Sequence, residues 1–229
     1  MPEWRVFASA DALVSEIADA LCAEAKTAIV AHGVFHLVLA GGSTPLALYR
    51  ELSTRQAGNA RWHIWYGDER CLPADHPERN SVMAEAAWLA VSRIPPENRR
   101  PIPAELGAVE AASRYAGWLK AVADFDVVLL GMGEDGHTAS LFPDHDWGDA
   151  PGSPDVLAVF DAPKPPPERV SLSAARLNRS RRAWFVVTGS GKREALLRWK
   201  RGEKLPVSVV RGRLETVVCL DQVAWPAGK

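Results

Sequence analysis

Apolar runs that end in glycine alternate with stretches of helical periodicity along most of this chain. Val127–Leu130 contains no polar residue, and Val34–Ala40 is apolar apart from one histidine. Continuous runs of this kind are typical of parallel strands buried on both faces, whereas apolar residues recur at helical spacing between residues 13 and 28. The alternation predicts one α/β domain over residues 1–229, with a Rossmann-like, mainly parallel sheet covered by helices on both faces.

The same reading predicts the remaining elements. Further strands are expected at Trp4–Phe7, Arg61–Tyr66, Val156–Phe160, Val170–Ser173, Ala183–Val187 and Val217–Leu220. Further helices are expected at Leu46–Leu52, Ser81–Val91, Ala108–Val122 and Glu194–Trp199. Pro45 is predicted at the first position of its helix, with Thr44 as the N-cap.

Three of the predicted strands are followed by loops that carry chemistry: Gly41–Pro45, Gly67–Arg70 and Gly131–Pro143. In open α/β sheets, ligands bind where the carboxyl ends of parallel strands meet. In the first loop, two glycines allow a sharp turn and close approach to a ligand, and the following helix N-terminus suits a phosphate group. A plain strand–turn–helix connection explains this loop equally well, and it lacks the spacing of a P-loop.

The third loop contains a literal G-x-G-x-x-G at Gly131–Gly136, and Asp155 lies near the offset of a ribose-binding acid. A dinucleotide fingerprint requires a full helix after the third glycine. Here only His137–Phe142 separate that glycine from Pro143. The sequence therefore predicts that this loop binds no dinucleotide.

His137 is the candidate proton-transfer group, because it follows a glycine-broken buried strand and Asp135 lies two residues before it. The alternative is a loop histidine with a purely structural hydrogen bond. Of the other five histidines, His63 is expected to be packed and His76 and His145 to be solvated, while His32 and His36 flank a helix end and a strand start. Neither an H-E-x-x-H motif nor a His/Cys cluster is present, so no metal and no other cofactor is predicted.

Composition narrows the class of protein. With 27 Lys+Arg against 28 Asp+Glu, the net charge of −1 argues against nucleic-acid and membrane partners. Three scattered cysteines fit a reducing compartment, and the sequence has neither a recognisable signal peptide nor a long apolar span. We expect a cytoplasmic protein, a monomer or weak homodimer. Arg169, Arg181 and Lys192 are candidates for a cationic clamp on a phosphate group.

Taken together and in order, several segments resemble the 6-phosphogluconolactonase branch of the glucosamine-6-phosphate deaminase-like group. The resemblance covers about Trp4 to Leu220 and implies one α/β domain that binds a sugar phosphate and no nucleotide. The matching segments are LAGGSTP (39–45), WYGDER (65–70), HPERNS (76–81), LLGMGEDGHTASLFP (129–143) and, between 169 and 192, RVSLS, LNRSRR and FVVTGSGK.

The resemblance also implies a reaction. Deaminases of the group carry a glutamate just before the proline that ends the DGH segment, and this chain has Phe142 there. We therefore expect metal-free hydrolysis of a phosphorylated sugar lactone, with a sugar-phosphate isomerase or deaminase and a non-catalytic sugar-phosphate sensor as alternatives. His137 would be the general base, Asp135 or Asp68 would orient it, and Arg70 would stabilise the oxyanion or orient the lactone. The expected phosphate-binding residues are Gly41, Gly42, Ser43, Thr44, Arg169, Arg181 and Lys192.

Overall fold

The fold is built on nine strands in the part of the chain that the computed structural model describes, residues 2–225. The strands are β1 Glu3–Phe7, β2 Phe35–Leu39, β3 Trp62–Tyr66, β4 Asp68–Arg70, β5 Phe125–Leu130, β6 Val156–Val159, β7 Arg169–Leu172, β8 Ser180–Val187 and β9 Glu215–Asp221. Six of them form one sheet in the order β1-β9-β8-β5-β2-β3, and every neighbouring pair is parallel. The predicted mainly parallel α/β fold is confirmed.

A second, three-stranded sheet in the order β4-β7-β6 was not predicted. Both of its strand pairs are antiparallel. Asp68–Arg70 was predicted to be part of a loop, because three charged residues show no alternation of polar and apolar positions. These residues become a strand through their pairing with β7, in which Asp68 lies opposite Ser171. That pairing is a long-range contact, which local pattern does not encode.

The helices largely follow the predicted periodicity. They are α1 Ala10–His32, α2 Ser43–Thr54, α3 Asn80–Ala87, α4 Ala108–Leu119, α5 Ala174–Leu177, α6 Arg193–Lys200 and α7 Pro206–Val209. The long helix α1 has a capping signal at each end. Ser9 accepts a hydrogen bond from the Ala12 amide at 3.1 Å, and Gly33 ends the helix in a left-handed conformation with φ 88°. Helices α5 and α7, of four residues each, were not predicted.

The start of α2 differs from its prediction. Thr44 was expected as the N-cap, but the helix begins at Ser43 and Gly42 is the capping residue. Gly42 takes φ 110° and ψ 173°, a backbone conformation that residues with a Cβ rarely adopt. The chain therefore turns into the helix two residues earlier than the proline signal indicated. Thr44 lies within the first turn, where its hydroxyl is available for other contacts.

Strand β5 lies at the centre of the large sheet, between β8 and β2, and all six of its residues are buried. Its one charged residue, Asp126, is at the amino end. The Asp126 carboxylate accepts the His36 amide at 2.8 Å and bonds His32 Nε2 at 2.9 Å. This buried charge is paired within the fold, at the opposite end of the strand from the predicted site. Among residues 2–225, no helix combines the length and apolarity needed to cross a bilayer.

We predict that the protein loses stability as pH falls from about 6.5 towards 4, because of His36. Burial, together with the neighbouring His63, lowers the pKa of His36 from 6.5 to about 4. Trp65 Nε1 donates to His36 Nδ1 at 3.1 Å, which requires that nitrogen to be unprotonated. Between these two pH values the unfolded chain binds a proton that the folded chain does not. Protonation therefore favours unfolding over this range, and the effect disappears above about pH 6.5.

The measurement is urea unfolding at two pH values. We expect the free energy of unfolding to be about 1–2 kcal/mol lower at about pH 5 than at about pH 7.5 through this residue. The His36→Gln variant, which keeps a hydrogen-bond acceptor but cannot take up a proton, should show a smaller difference. An equal pH dependence in the two proteins would contradict the assignment to His36.

Candidate active site

A cleft of about 340 Å³ opens at the carboxyl edge of the large sheet. Its walls come from the segments that follow β2, β5 and β8, together with strands β4 and β7 of the small sheet. The parallel alignment of β2, β5 and β8 brings their carboxyl ends to one edge, as predicted. The side chains that matter below are Ser43, Thr44, Asp68, Arg70, Asn80, His137, Phe142, Lys164, Arg169, Thr188 and Lys192.

One end of the cleft has the features of a phosphate site. The first amides of α2 point away from their own helix and have no intrahelical acceptor, and the capping residue Gly42 has no side chain to accept from them. The Thr44 hydroxyl lies 2.7 Å from the Thr188 hydroxyl, which joins this helix start to the segment after β8. Lys192 lines the same cleft. Backbone amides, hydroxyls and an ammonium group suit a phosphate dianion.

The acid–base pair of the site is Asp135 with His137. His137 Nδ1 lies 2.6 Å from Asp135 Oδ1, and the His137 amide donates to the same oxygen at 3.2 Å. Burial acts to raise the pKa of Asp135, but the hydrogen bonds and charge of His137 outweigh it and lower that pKa to about 2. An ionised Asp135 accepts the Nδ1 proton, so Nε2 is left as the basic nitrogen of the ring.

Gly133 makes room for this pair. Its amide donates to the His137 carbonyl at 2.8 Å, which closes the loop after β5. A Cβ at position 133 would lie 2.0 Å from His137 Nδ1 and 2.4 Å from Asp135 Oδ1. These distances are too short for any side chain, so glycine is required here for close packing and not for a dinucleotide. Residues 131–155 contain no helix, which agrees with the rejected fingerprint.

Phe142 packs against the histidine. The two ring centroids are 4.8 Å apart, and Phe142 is 1% exposed. The guanidinium of Arg169 lies 5.6 Å from the centroid of the Phe142 ring. The apolar side chain at this position restricts the imidazole and brings no second proton-transfer group beside it.

Asp68 lines the cleft but does not orient the histidine. Its Oδ2 accepts the Ser140 hydroxyl at 2.6 Å, and its Oδ1 accepts the Asn80 amide at 3.1 Å. Of the two acids proposed from the sequence, only Asp135 bonds His137. The Ser140 hydroxyl is thus buried and held by Asp68.

Two arginines face each other across the small sheet, because Arg70 is the register partner of Arg169. Like charges directly opposite on paired strands repel. Burial lowers the pKa of Arg169, Asp68 opposes that effect, and the charge of Arg70 lowers it further. Within residues 2–225, the buried Nε of Arg70 has no hydrogen-bond partner. An anionic or carbonyl group of a ligand would complete this pair.

Other contacts hold the two arginines in place. Arg70 Nη1 donates to the Glu78 carbonyl. Arg169 donates through Nη2 to the Lys164 carbonyl at 2.8 Å, and through Nε to the Pro166 carbonyl at 3.1 Å. Arg169 therefore fixes the proline-rich turn at residues 163–167, and this turn places Lys164 at the cleft.

Most of the residues predicted from sequence come together here, with one exception. Arg181 is exposed at the amino end of β8, whereas the cleft opens at the carboxyl end of that strand. Further polar residues that line the cleft were not predicted from the sequence, among them Asn80, Lys164 and Thr188. Asn80 and Thr188 lie within segments that carried the family resemblance, which was the available signal. Lys164 lies in a turn that the sequence marked only by its prolines.

The family described as glucosamine-6-phosphate isomerases/6-phosphogluconolactonase matches residues 8–219. The chain belongs to this family. The 6-phosphogluconolactonase of Mycobacterium tuberculosis is 37% identical, with 96% of this chain and 96% of that protein covered. The human 6-phosphogluconolactonase is 36% identical, with 90% of this chain and 85% of that protein covered.

Some relatives are much longer. The rabbit GDH/6PGL endoplasmic bifunctional protein is 38% identical over 215 residues, but this chain spans only 27% of its length. The human GDH/6PGL endoplasmic bifunctional protein shows the same pattern, with 25% of its length spanned.

Solved structures of the family share the fold. The 6-phosphogluconolactonase of Thermotoga maritima superposes with a TM-score of 0.89 at 26% identity, over 97% of this chain and 100% of that one. A monomeric glucosamine-6-phosphate deaminase reaches 0.81 at 18% identity, over 97% and 98%. Because lactonases and a deaminase share this fold, the fold alone does not distinguish the two reactions.

We predict that Gly133→Ala separates His137 from Asp135 and lowers activity by about 10²-fold or more. The added Cβ would occupy the space of the imidazole and the carboxylate, so one of them has to move. Steady-state kinetics and thermal unfolding measure the two effects. Gly117→Ala is the matched control, because a Cβ at this helical position meets nothing within 4 Å. Wild-type turnover in Gly133→Ala would contradict the role of the pair.

Proposed function

We propose that this chain hydrolyses 6-phospho-D-glucono-1,5-lactone to 6-phospho-D-gluconate, the second step of the oxidative pentose phosphate pathway. One observation carries the proposal: the Asp135–His137 pair lies beside a cationic cleft, with Phe142 packed on the imidazole. Phe142 stands where the resemblance places the glutamate of a deaminase. The relatives named 6-phosphogluconolactonase that match almost end to end support the same choice.

In the proposed reaction, His137 acts first as a general base and then as a general acid. Asp135 holds the Nδ1 proton, so Nε2 removes a proton from water while the water oxygen bonds to C1 of the lactone. The carbonyl oxygen of the tetrahedral intermediate carries the negative charge, for which Arg70 is the proposed donor. The bond between C1 and the ring oxygen then breaks, and His137 returns the proton to that oxygen.

The phosphate group would bind at the other end of the cleft. The turn Gly41–Thr44 would supply backbone amides and hydroxyls, and Lys192 a positive charge. Arg169 retains Nη1 for an anion, since its described hydrogen bonds use Nε and Nη2. The excess of cationic groups around the cleft suits a substrate with a dianionic phosphate.

The magnitudes are sufficient for a metal-free reaction. A positioned base typically contributes about 10²–10⁴-fold, and an oxyanion donor about 10²–10³-fold. A lactone is an activated ester, so its hydrolysis by a positioned base and an oxyanion donor requires neither a covalent nucleophile nor a metal ion. That the reaction proceeds without a metal, in the cytoplasm and in a monomer or weak homodimer, stays a prediction.

The alternatives lack specific support in this cleft. A deaminase or isomerase needs a further acid–base group where Phe142 packs against His137. A sensor needs no base, yet the hydrogen bond between Asp135 and His137 and the nearby Arg70 have the arrangement that catalysis requires. Ammonia release from glucosamine 6-phosphate would favour the deaminase, and binding of 6-phosphogluconate without lactone turnover would favour the sensor.

We predict that His137→Ala lowers lactonase kcat by about 10²–10⁴-fold while the protein stays folded. A coupled assay with freshly prepared 6-phosphogluconolactone measures the rate, and circular dichroism the fold. His145→Ala is the matched control, because His145 is exposed and does not line the cleft. Turnover near the wild-type rate in His137→Ala would overturn the assigned role.

We also predict that Lys192→Ala raises KM for the phosphorylated lactone by about 10-fold or more and leaves the rate with unphosphorylated glucono-1,5-lactone nearly unchanged. The comparison of the two substrates isolates the contact with phosphate. Arg181→Ala serves as the control, because its side chain lies at the opposite edge of the sheet. A larger effect from Arg181→Ala than from Lys192→Ala would show that the phosphate site is misplaced.

A further inference from the structure

Asn80 is a buried polar side chain that the proposed mechanism does not use. It is the first residue of α3, it is 3% exposed, and it lines the cleft. Buried amides in proteins are usually hydrogen-bonded, and their partners show which groups they hold in place. The partners of Asn80 belong to two different parts of the site.

The first partner is Asp68. Asn80 Nδ2 donates to the Asp68 carbonyl at 3.0 Å and to Asp68 Oδ1 at 3.1 Å. The other carboxylate oxygen accepts from Ser140, a residue of the loop that carries His137. Two donors from opposite sides therefore set the direction of this carboxylate, and both are buried.

Asn80 also packs against Gly41, in the glycine turn at the proposed phosphate end of the cleft. A Cβ on Gly41 would lie 2.0 Å from Asn80 Oδ1 and 2.6 Å from Asn80 Cγ. The carboxamide thus occupies the space that a side chain at position 41 would need. Asn80 lies between the proposed phosphate turn and Asp68, in contact with both.

Asn80 is itself held by a buried carboxylate. Glu69 is fully buried. Its carboxylate accepts the backbone N–H of Asn80 at 2.8 Å and the backbone N–H of Ser81 at 2.9 Å. It also accepts the Arg70 amide at 2.9 Å. The residue between Asp68 and Arg70 therefore ties the start of α3 to β4. The hydrogen bonds to Glu69 fix the backbone from which the Asn80 side chain extends.

We propose that Asn80 is a positioning residue of this active site, which directs the Asp68 carboxylate into the cleft while its own carboxamide packs against the Gly41 turn. An amide suits this position because it donates to the carboxylate and presents an uncharged oxygen to the glycine. In this arrangement Asp68 is free of His137 and serves as an acceptor for the hydroxyl groups of the sugar. The inference rests on the proposed function, since it concerns the same cleft.

The test is Asn80→Asp, which keeps the shape of the side chain and replaces the donor by a second carboxyl group. Adjacent carboxyl groups repel when both are ionised, and they share a proton as pH is lowered. We expect kcat/KM for the lactone to fall by about 10–10²-fold at about pH 7.5, with the deficit shrinking towards pH 5.5. Asn80→Ser, which is smaller but uncharged, should lower kcat/KM with the wild-type pH profile, and it also tests the role if Asn80→Asp does not fold.

The matched control is Asn178→Asp. Asn178 is also partly buried and donates to a backbone carbonyl, that of Val209 at 3.0 Å, but it does not line the cleft. It should show wild-type kinetics and the wild-type pH profile. The inference would be overturned if kcat/KM stayed within about twofold of wild type in both Asn80 variants and the pH profile of Asn80→Asp matched that of wild type.

A second measurement separates this inference from the proposed function. If the wild-type protein does not hydrolyse the lactone, the proposed function is wrong. Calorimetric affinity for 6-phosphogluconate, measured in the same variants over the same pH range, then decides the role of Asn80. Weaker binding by Asn80→Asp that recovers at low pH supports the role, and unchanged binding contradicts it.

Discussion

The parallel alignment of β2, β5 and β8 is the constraint on which the site depends. Each of these strands is continuously buried near its carboxyl end, so its backbone has to be paired on both sides. Their parallel pairing places three following loops at one edge of the sheet. The glycine turn after β2, the histidine loop and Lys192 are far apart in sequence, and only this alignment brings them around one cleft.

The small antiparallel sheet adds what the large sheet cannot. It brings Arg70 opposite Arg169, at the cost of a repulsion between two buried or half-buried cations. Asp68, from the same strand as Arg70, lies close enough to offset part of it. A pairing of this kind does not favour stability, and it fits the proposed role of Arg70 at an anionic oxygen.

The site also relies on residues that never need to touch a substrate. Gly133 leaves space for the Asp135–His137 pair, Phe142 restricts the imidazole, and Glu69 fixes the loop between β4 and α3. Each of these residues limits the freedom of a neighbour that has a role in the proposed reaction. Such restriction is what keeps a base and its acid within hydrogen-bond distance before a substrate arrives.

The sequence by itself determined the order of the strands other than β4 and of the helices other than α5 and α7, the candidate base His137, the glycine turn and the absence of a helix after Gly136. These follow from local periodicity, glycine and proline, which act over a few residues. The tertiary structure decided the rest: β4 as a strand, Gly42 and not Thr44 as the cap, Asp135 and not Asp68 as the partner of His137, and Arg181 at the wrong edge. Each of these depends on which distant segments pair, and pairing is set by the packing of the whole sheet and not by the neighbours of a residue in sequence.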